Sequence, residues 1–210
     1  MNKDQGLFIT LEGIEGVGKT TQVDYVGEIF RRKGRTVTIT REPGGTSVGE
    51  AIREILLNGK DLDICEETEL LLMFAARAQH LQRIIHPALQ RNEVVICDRF
   101  IDASLAYQGG GRGIEMSRIY QLVDWMTYSL KPDLTLLLDA PVEQGLARAG
   151  KRGELDRFES EAMEFFEAIR QAYLGIAEQE PERVAVVDAS LELEQVQEQI
   201  DEIVRVRDLA

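Results

Sequence analysis

A chain of 210 residues is long enough for one domain with a substantial hydrophobic core. Its formal net charge of −13 argues against a polymeric nucleic acid partner, because proteins that bind nucleic acid present a basic surface. No apolar run approaches the roughly 20 residues of a membrane span, the N-terminus lacks a signal-peptide pattern, and Cys65 and Cys97 lack metal-site spacing, so we expect a cytoplasmic protein that does not bind membranes.

The first predicted elements are a strand over residues 7–12, a glycine-rich turn and a helix from about 19 to 33. The turn reads Gly13-Ile14-Glu15-Gly16-Val17-Gly18-Lys19-Thr20, which has the spacing of a P-loop. Glycines let the backbone bend and approach a ligand where a Cβ atom would clash. The N–H groups of such a loop and of the helix after it bind phosphate oxygens, the lysine reaches the β- and γ-phosphates, and the threonine hydroxyl can bind Mg²⁺. This stretch predicts a nucleoside triphosphate site.

The next elements are a strand over 36–40, a helix that ends near Leu57 and a long helix over 67–91. Thr46 is a plausible N-cap for the first of these helices, and the polar segment 58–66 reads as a loop. Pro87 either kinks the long helix or separates its end.

Two residues on the long helix could bind a base. Phe74 and Arg77 stand three positions apart, so they share a helix face. A ring and a planar guanidinium can stack on a base and donate hydrogen bonds to it. Periodicity alone, however, favours a core position for Phe74 and a salt bridge for Arg77.

Two later strands each end in an aspartate. The strand over 94–98 ends in Asp98, and the strand over 134–139 ends in Asp139. In a P-loop protein such a carboxylate orients Mg²⁺, and we favour Asp98 because the adjacent Arg99 could hold a second phosphate. Either carboxylate could instead cap the helix that follows it.

Glycines and basic residues mark two further segments. Residues 109–113 read Gly-Gly-Gly-Arg-Gly and are predicted to be a loop, and so much glycine indicates a close backbone approach. Residues 148–157 contain Arg148, Lys151, Arg152 and Arg157, a positive patch in an acidic chain. Arginines can stabilise the charge of a transferring phosphoryl group, and a mobile loop can deliver them; a solvated helix end is the alternative.

The remaining predicted elements complete an α/β pattern. Helices are expected over about 115–130, from about 142, over 160–179 and over 192–206, with a strand over 184–188. Five strands that alternate with helices predict an open parallel sheet with helices on both faces. Ligands of such sheets bind beyond the carboxyl ends of the strands, where Gly13, Arg41, Asp98 and Asp139 fall.

These pieces together resemble the bacterial thymidylate kinases of the nucleoside monophosphate kinase superfamily. The resemblance covers nearly the whole chain as a single domain. It is carried by L-E-G-x-E-G-x-G-K-T-T (11–21), T-R-E-P-G-G-T (40–46), L-L-M-F-A-A-R (71–77), D-R-F (98–100), A-Y-Q-G-G-G-R-G (106–113), P-D-L-T-L-L-L-D (132–139) and R-G-E-L-D-R-F-E (152–159).

The resemblance implies the reaction ATP + dTMP → ADP + dTDP with Mg²⁺, in a homodimer packed through helices, and a three-layer P-loop kinase fold with a small lid over about 148–158. It implies that ATP is held by the loop from Gly13 to Thr21 and by Arg148 and Arg152, and that Thr20 and Asp98 hold or organise the metal. Catalysis is expected from Lys19, Arg99, Arg152 and Glu15.

For dTMP, the resemblance implies that Arg41 and Arg99 grip the phosphate and that Glu15 faces the 3′-hydroxyl. Phe74 is expected to stack on thymine, and Arg77 to hydrogen-bond the base. Ser104 and Gln108 are expected to line the thymine pocket, and Tyr107 to crowd C2′ of the sugar.

One position separates the branches of this family. Eukaryotic relatives have an arginine where this chain has Gly16, and the bacterial branch places the compensating arginines in the lid. Some bacterial sequences have arginine at the position of Gly150, so we expect Arg152 to be the leading lid arginine.

Three other functions fit parts of the sequence. A kinase for another nucleotide or nucleoside would share the P-loop, and Phe74, Arg77 and Tyr107 argue against it only through the resemblance. A switch GTPase would need an N-K-x-D motif after a late strand, and Asn2-Lys3-Asp4 precedes the P-loop. A non-catalytic nucleotide sensor would not need Lys19, Asp98 and the lid arginines.

Overall fold

Five parallel strands form one sheet with the order β2-β3-β1-β4-β5. The computed structural model describes residues 5–59, 62–127, 130–150, 156–159, 161–207 and 209. The strands are β1 (Leu7–Glu12), β2 (Val37–Arg41), β3 (Val94–Asp98), β4 (Leu134–Asp139) and β5 (Val184–Asp188). The three central strands are almost fully buried, which explains why their sequences are continuously apolar.

Helices cover both faces of the sheet. Their bounds are α1 (Lys19–Arg32), α2 (Ser47–Asn58), α3 (Glu66–His80), α4 (His86–Gln90), α5 (Ile101–Ser104), α6 (Met116–Thr127), α7 (Val142–Ala149), α8 (Met163–Gln179) and α9 (Leu193–Val206). Alternate β1 residues belong to two hydrophobic clusters, one filled by α1, α8 and α9 and the other by α3 and α6. The α/β prediction with helices on both faces is confirmed. None of the helices in the described part of the chain is long and apolar enough to cross a membrane.

The long helix predicted over 67–91 is divided by a π-helical segment. α3 continues through Leu81–Ile85 into α4, and Pro87 lies in the first turn of α4. The His86 N–H bonds the Leu81 carbonyl, so the wider π-helical turn precedes a residue that has no N–H of its own. The helical backbone thus stays continuous from Glu66 to Gln90, with a π-helical segment just before Pro87, where a kink or a separated end was predicted.

The glycine run is helical, so the prediction of a loop over 109–113 is wrong for its first three residues. α5 continues as a π-helix over Leu105–Gly111. A Cβ atom at Gly110 would lie 2.6 Å from Ala172 Cβ, and one at Gly111 would lie 2.5 Å from the Phe165 ring. The predicted close backbone approach is confirmed, and the neighbour is α8.

The strand register brings the carboxyl ends of the central strands together. Asp98 of β3 pairs with Leu11 of β1 on one side and with Arg41 of β2 on the other. The P-loop follows β1 directly, so the predicted site residues of three strands meet at one edge of the sheet.

Candidate active site

A cavity of about 510 Å³ opens at this edge. Its lining includes the P-loop and α1 (Glu15, Gly16, Gly18, Lys19, Thr20, Thr21), the end of β3 (Asp98, Arg99), α2 and α3 (Arg53, Arg77), the helix after β3 (Ser104, Tyr107, Gln108) and α7 (Arg148). Most of the predicted site residues therefore surround a single space.

The glycine-rich turn leaves the N-terminus of α1 accessible. Gly18 is its N-cap with a φ of 92°, and among the described residues no side chain caps the helix. A Cβ atom at Gly18 would meet nothing within 4 Å. The N–H groups of the first turn and the positive end of the helix dipole can therefore receive phosphate oxygens.

At Gly13 and Gly16 the missing side chain makes room for protein rather than for a ligand. Both have positive φ values, 135° and 74°. A Cβ atom at Gly13 would lie 2.4 Å from the Leu138 carbonyl oxygen, and one at Gly16 would lie 1.8 Å from that of Gly145. The expectation of close approach to a ligand therefore suits Gly18, whereas the other two glycines pack against β4 and α7.

Lys19 is folded back onto the P-loop. Its Nζ donates hydrogen bonds to the carbonyl oxygens of Gly13 at 3.0 Å and Ile14 at 2.7 Å. Burial, aided by the nearby charge of Arg99, lowers the pKa of Lys19 to about 8. The amine is thus a poorly solvated cation within the loop, and an incoming phosphate would strengthen its charged state.

Glu15 connects the P-loop to the end of β3. Its carboxylate accepts hydrogen bonds from Arg99 Nη2 at 2.9 Å and from the Tyr107 hydroxyl at 2.6 Å. The Arg99 guanidinium also lies 4.7 Å from the centre of the Tyr107 ring. Burial raises the pKa of Tyr107 well above its usual value, so the phenol keeps the proton that it donates.

Arg99 has a left-handed backbone conformation, with φ of 68°. Such a conformation is unfavourable for an arginine and persists only where its surroundings enforce it. Here the Arg99 N–H bonds the Leu11 carbonyl, and the next N–H, of Phe100, bonds Glu12. These contacts direct the guanidinium towards Glu15.

Asp98 and Thr20 provide oxygen atoms on the same cavity. Asp98 Oδ1 is buried and has no hydrogen-bond partner among the described residues. An unsatisfied carboxylate oxygen beside a phosphate-binding loop fits Mg²⁺, which uses one or two protein oxygens and completes its shell with water and phosphate. No cluster of three or more His, Cys, Asp or Glu side chains suited to a metal occurs in the described residues, and this mode of Mg²⁺ binding needs none.

The rival carboxylate, Asp139, is engaged elsewhere. Arg170 donates to both of its oxygens, at 2.7 and 2.8 Å. A bidentate pair of this kind satisfies the carboxylate. The geometry supports the preference for Asp98.

Arg77 is fixed by several partners and keeps one donor unused. Its Nε donates to Glu42 at 2.7 Å, and its Nη2 donates to Ser104 Oγ at 3.0 Å and to the Phe100 carbonyl at 2.8 Å. The opposite oxygen of Glu42 bonds His80 Nδ1 at 2.9 Å. Arg77 Nη1 is buried without a partner in the part of the chain that is described, so this group can still donate to a ligand in the cavity.

Phe74 and Arg41 lie less directly at the cavity than expected. Phe74 is buried in the hydrophobic cluster with its ring centre 4.7 Å from the Arg77 guanidinium, which matches the core position that periodicity favoured. Arg41 is exposed and forms a salt bridge with Glu50 at 2.9 Å. Their direct contacts with a ligand stay predictions.

Arg53 lines the cavity and was not predicted from the sequence. It donates to the Pro43 carbonyl at 3.0 Å, and burial together with the Arg41 charge lowers its pKa. The signal was present, because Arg53 follows the buried Gly49 by four residues on α2 and precedes the buried Leu56 by three. A basic residue on the buried stripe of a helix indicates a site.

Glu12 is the second residue that the sequence did not reveal. It is fully buried at the end of β1, where it accepts hydrogen bonds from the Phe100 N–H at 2.7 Å and the Tyr173 hydroxyl at 2.8 Å. Burial, and next the charge of Asp102, raises its pKa from 4.5 to about 8. Glu12 therefore supports the turn that carries Arg99 and is protonated near neutral pH.

The raised pKa of Glu12 predicts a pH dependence of folding. Between about pH 4.5 and 8 the folded chain holds a proton that the unfolded chain has released, so stability falls as pH rises. Glu12→Gln keeps the shape without ionising. Denaturant unfolding at pH 5 and pH 8 should show a decline for the wild type that exceeds that of the variant by on the order of 3 kcal/mol. Parallel declines in both proteins would contradict this assignment.

The ends of the predicted lid are held by other parts of the chain. Arg148 donates to the Ala189 carbonyl at 2.8 Å. Arg157 donates to the Leu56 carbonyl at 2.8 Å and to the buried carboxylate of Glu69 at 2.5 Å. The predicted lid arginine, Arg152, lies outside the described residues.

Comparison with known proteins shows the family of this chain. A family model described as thymidylate kinase matches residues 11–200. The thymidylate kinase of Ectopseudomonas mendocina is 58% identical over 196 residues, which cover 93% of each chain. That of Pseudomonas syringae pv. tomato is 55% identical over 198 residues, or 94% of each.

A solved structure gives the same result. The crystal structure of thymidylate kinase from Ehrlichia chaffeensis superposes with a TM-score of 0.76 at 35% identity, covering 96% of this chain and 99% of the other. By its sequence and by its fold, this chain is a member of the thymidylate kinase family.

Proposed function

We propose that this chain transfers the γ-phosphoryl group of ATP to dTMP, giving ADP and dTDP in the synthesis of dTTP. One observation carries the proposal. A single cavity joins a triphosphate-binding loop to a polar wall of Arg77, Ser104 and Gln108 that can read a base, in a member of the thymidylate kinase family.

The donor side is the P-loop and the start of α1. The N–H groups from Gly13 to Thr21 receive the phosphates of ATP, and Lys19 exchanges its bonds with the loop carbonyls for bonds with the β- and γ-phosphates. Arg148 lines the same cavity and adds positive charge. Thr20 and Asp98 would hold Mg²⁺, which would neutralise charge on the phosphates.

The acceptor side is built on the opposite wall. Arg99 and Arg53 hold the phosphate of dTMP, with Arg41 nearby. The unused donor of Arg77 and the amide of Gln108 bind the edge of thymine. Phe74, whose ring centre lies 4.7 Å from the Arg77 guanidinium, is expected to stack on the base.

The buried hydroxyl of Tyr107 lies against Glu15 at the sugar end of this pocket. We expect the tyrosine to crowd C2′ and disfavour ribonucleotides, and the carboxylate to face the 3′-hydroxyl.

Phosphoryl transfer in this site depends on position and charge. The 5′-phosphate of the acceptor and the γ-phosphate are both anionic, so their approach needs cations on both sides. Among the described residues, Lys19 supplies a cation on the donor side and Arg99 supplies one on the acceptor side. Glu15 keeps Arg99 in place through a hydrogen bond of 2.9 Å. Arg152 of the lid is expected to complete the arrangement at the transferred group.

An ADP-release assay tests the substrate. dTMP, dUMP, dCMP, dGMP, AMP and thymidine would each be supplied at equal concentration with ATP and Mg²⁺. We expect the highest kcat/KM for dTMP. A preference for any other acceptor would overturn the substrate assignment, and the lack of turnover with every acceptor would favour a nucleotide sensor.

We also propose that the chain forms a homodimer through helices. Leu71 on α3 and Tyr120 and Trp125 on α6 are large exposed side chains on two helices that contact one another. Burial of such a surface against a second copy is favourable. Sedimentation equilibrium that returned the mass of one chain would contradict this proposal.

We propose a cytoplasmic setting as well. Both cysteines are free thiols, as is usual for proteins in a reducing compartment.

A further inference from the structure

The P-loop rests directly on α7 through two glycines. A Cβ atom at Gly16 would lie 1.8 Å from the Gly145 carbonyl oxygen, and one at Gly145 would lie 2.7 Å from the Glu15 carbonyl oxygen. Real Cβ atoms essentially never approach another heavy atom within 3.0 Å. The two backbones therefore touch at a point where neither can carry a side chain.

The supported part of the loop holds groups that matter for the reaction. Ile14 provides the carbonyl that Lys19 contacts at 2.7 Å. Glu15 holds Arg99 and Tyr107 at 2.9 and 2.6 Å. A displacement of residues 14–16 would therefore move the donor-side cation and the acceptor-side network together.

α7 is not able to recede easily from this contact. Val142 at its start is fully buried. In its first turn, the Gln144 side chain donates to the Ser190 carbonyl at 3.0 Å. The Arg148 side chain donates to the Ala189 carbonyl at 2.8 Å near its end. The helix is thus held at three points, and a new group on Gly145 would push the loop.

We propose that Gly145 is a positioning residue for phosphoryl transfer, because its missing side chain lets α7 support the backbone of residues 14–16. The proposal rests on the proposed function. It also accounts for Gly16, because α7 occupies the space of any side chain there.

The expected effect follows from the size of the displacement. An alanine at position 145 must move the Glu15 carbonyl by at least a few tenths of an ångström. A misplacement of 1 Å in an active site costs about 100-fold in rate, so a smaller shift is expected to cost on the order of tenfold. Alanine is the better helix former, which helps the variant to fold.

The test compares Gly145→Ala with Gly175→Ala. Gly175 also lies within a helix, α8, but a Cβ atom there meets nothing within 4 Å. For both variants and the wild type, kcat, KM for dTMP, KM for ATP and the thermal midpoint would be measured.

We expect Gly145→Ala to fold with a midpoint close to that of the wild type, to keep both KM values within about threefold and to lose about tenfold in kcat. Gly175→Ala should match the wild type in kcat and in both KM values, with a thermal midpoint at or above that of the wild type because alanine is the better helix former. A kcat for Gly145→Ala within twofold of the control would overturn the proposal, and so would an unfolded variant, since the contact would then serve folding. Failure of the wild type to phosphorylate dTMP would overturn the proposed function instead.

Discussion

Lys19→Met is expected to lower kcat by about 10²–10³-fold, because it removes the cation that the P-loop directs at the transferred group. Methionine keeps most of the buried stem of the lysine, so the fold should persist. Lys33→Met is the matched control, since Lys33 follows the same helix at an exposed position. Steady-state kinetics with ATP and dTMP, with thermal unfolding of each variant, would measure the difference.

The pKa of Lys19 gives this prediction a second signature. With a pKa of about 8 in the free protein, the amine is charged below that pH and loses its proton above it. We therefore expect kcat/KM for ATP to fall as pH rises through about 8, because that quantity reports the free enzyme. Bound phosphate raises the pKa of the amine, so the fall in kcat should come at higher pH.

The two signatures together separate a catalytic role from a structural one. The decline of kcat/KM near pH 8 should be missing from the residual activity of Lys19→Met. Profiles of the same shape in both enzymes would assign the pH dependence to another group. A kcat within a few-fold of the control would contradict the role of Lys19 itself.

The elements of the fold were predictable because they are encoded locally. A buried parallel strand must be apolar over its whole length, and residues 94–98 and 134–139 show this in the sequence alone. The P-loop is equally local, since one turn contains its spacing, its lysine and its threonine. The order of the strands and the similarity to a solved thymidylate kinase confirm the predicted α/β fold.

The errors came from contacts between distant segments. The run at 109–113 has the composition of a loop, yet two of its glycines serve the packing of one helix on another. A Cβ atom added at Gly110 or Gly111 would lie 2.6 or 2.5 Å from residues of α8. The roles of Gly13 and Gly16 depend in the same way on β4 and α7. Neither partner can be identified from a single sequence, because periodicity describes one element at a time.

The sequence predicts which residues belong to the candidate site better than it predicts the hydrogen bonds between them. Glu15, Arg99 and Tyr107 were each assigned to the acceptor, but their shared hydrogen bonds depend on a left-handed Arg99 that the sequence does not signal. The sequence does not single out Glu12, the last residue of the predicted strand over 7–12. Only burial and the contact with Tyr173, from α8, show that it supports the site.

Arg152→Ala is expected to lower kcat by about 10³-fold with a much smaller rise in KM for dTMP, because a lid arginine would act on the transferred group rather than on the bound acceptor. The P-loop itself supplies a single cation. Lys19 is the sole basic residue of the P-loop sequence, and α7 closes Gly16 to any side chain.

Two other basic residues of the predicted lid, Arg148 and Arg157, already have protein partners. Arg148 bonds the Ala189 carbonyl, and Arg157 bonds Glu69 and the Leu56 carbonyl. Each guanidinium would have to give up its own contacts before it moved to the phosphates. Lys151 and Arg152, which lie between them in the sequence, are therefore the stronger candidates, and the planar fork of an arginine suits a phosphoryl group better than an ammonium does.

Lys151→Ala is the control, because it removes the same charge one position earlier. We expect it to retain kcat within a few-fold, while Arg152→Lys recovers only part of the activity lost in Arg152→Ala, since it restores the charge without the fork. Single-turnover measurements would show whether the loss lies in the chemical step. An unchanged kcat for Arg152→Ala would remove the role, and a large loss in Lys151→Ala alone would transfer it to the neighbouring lysine.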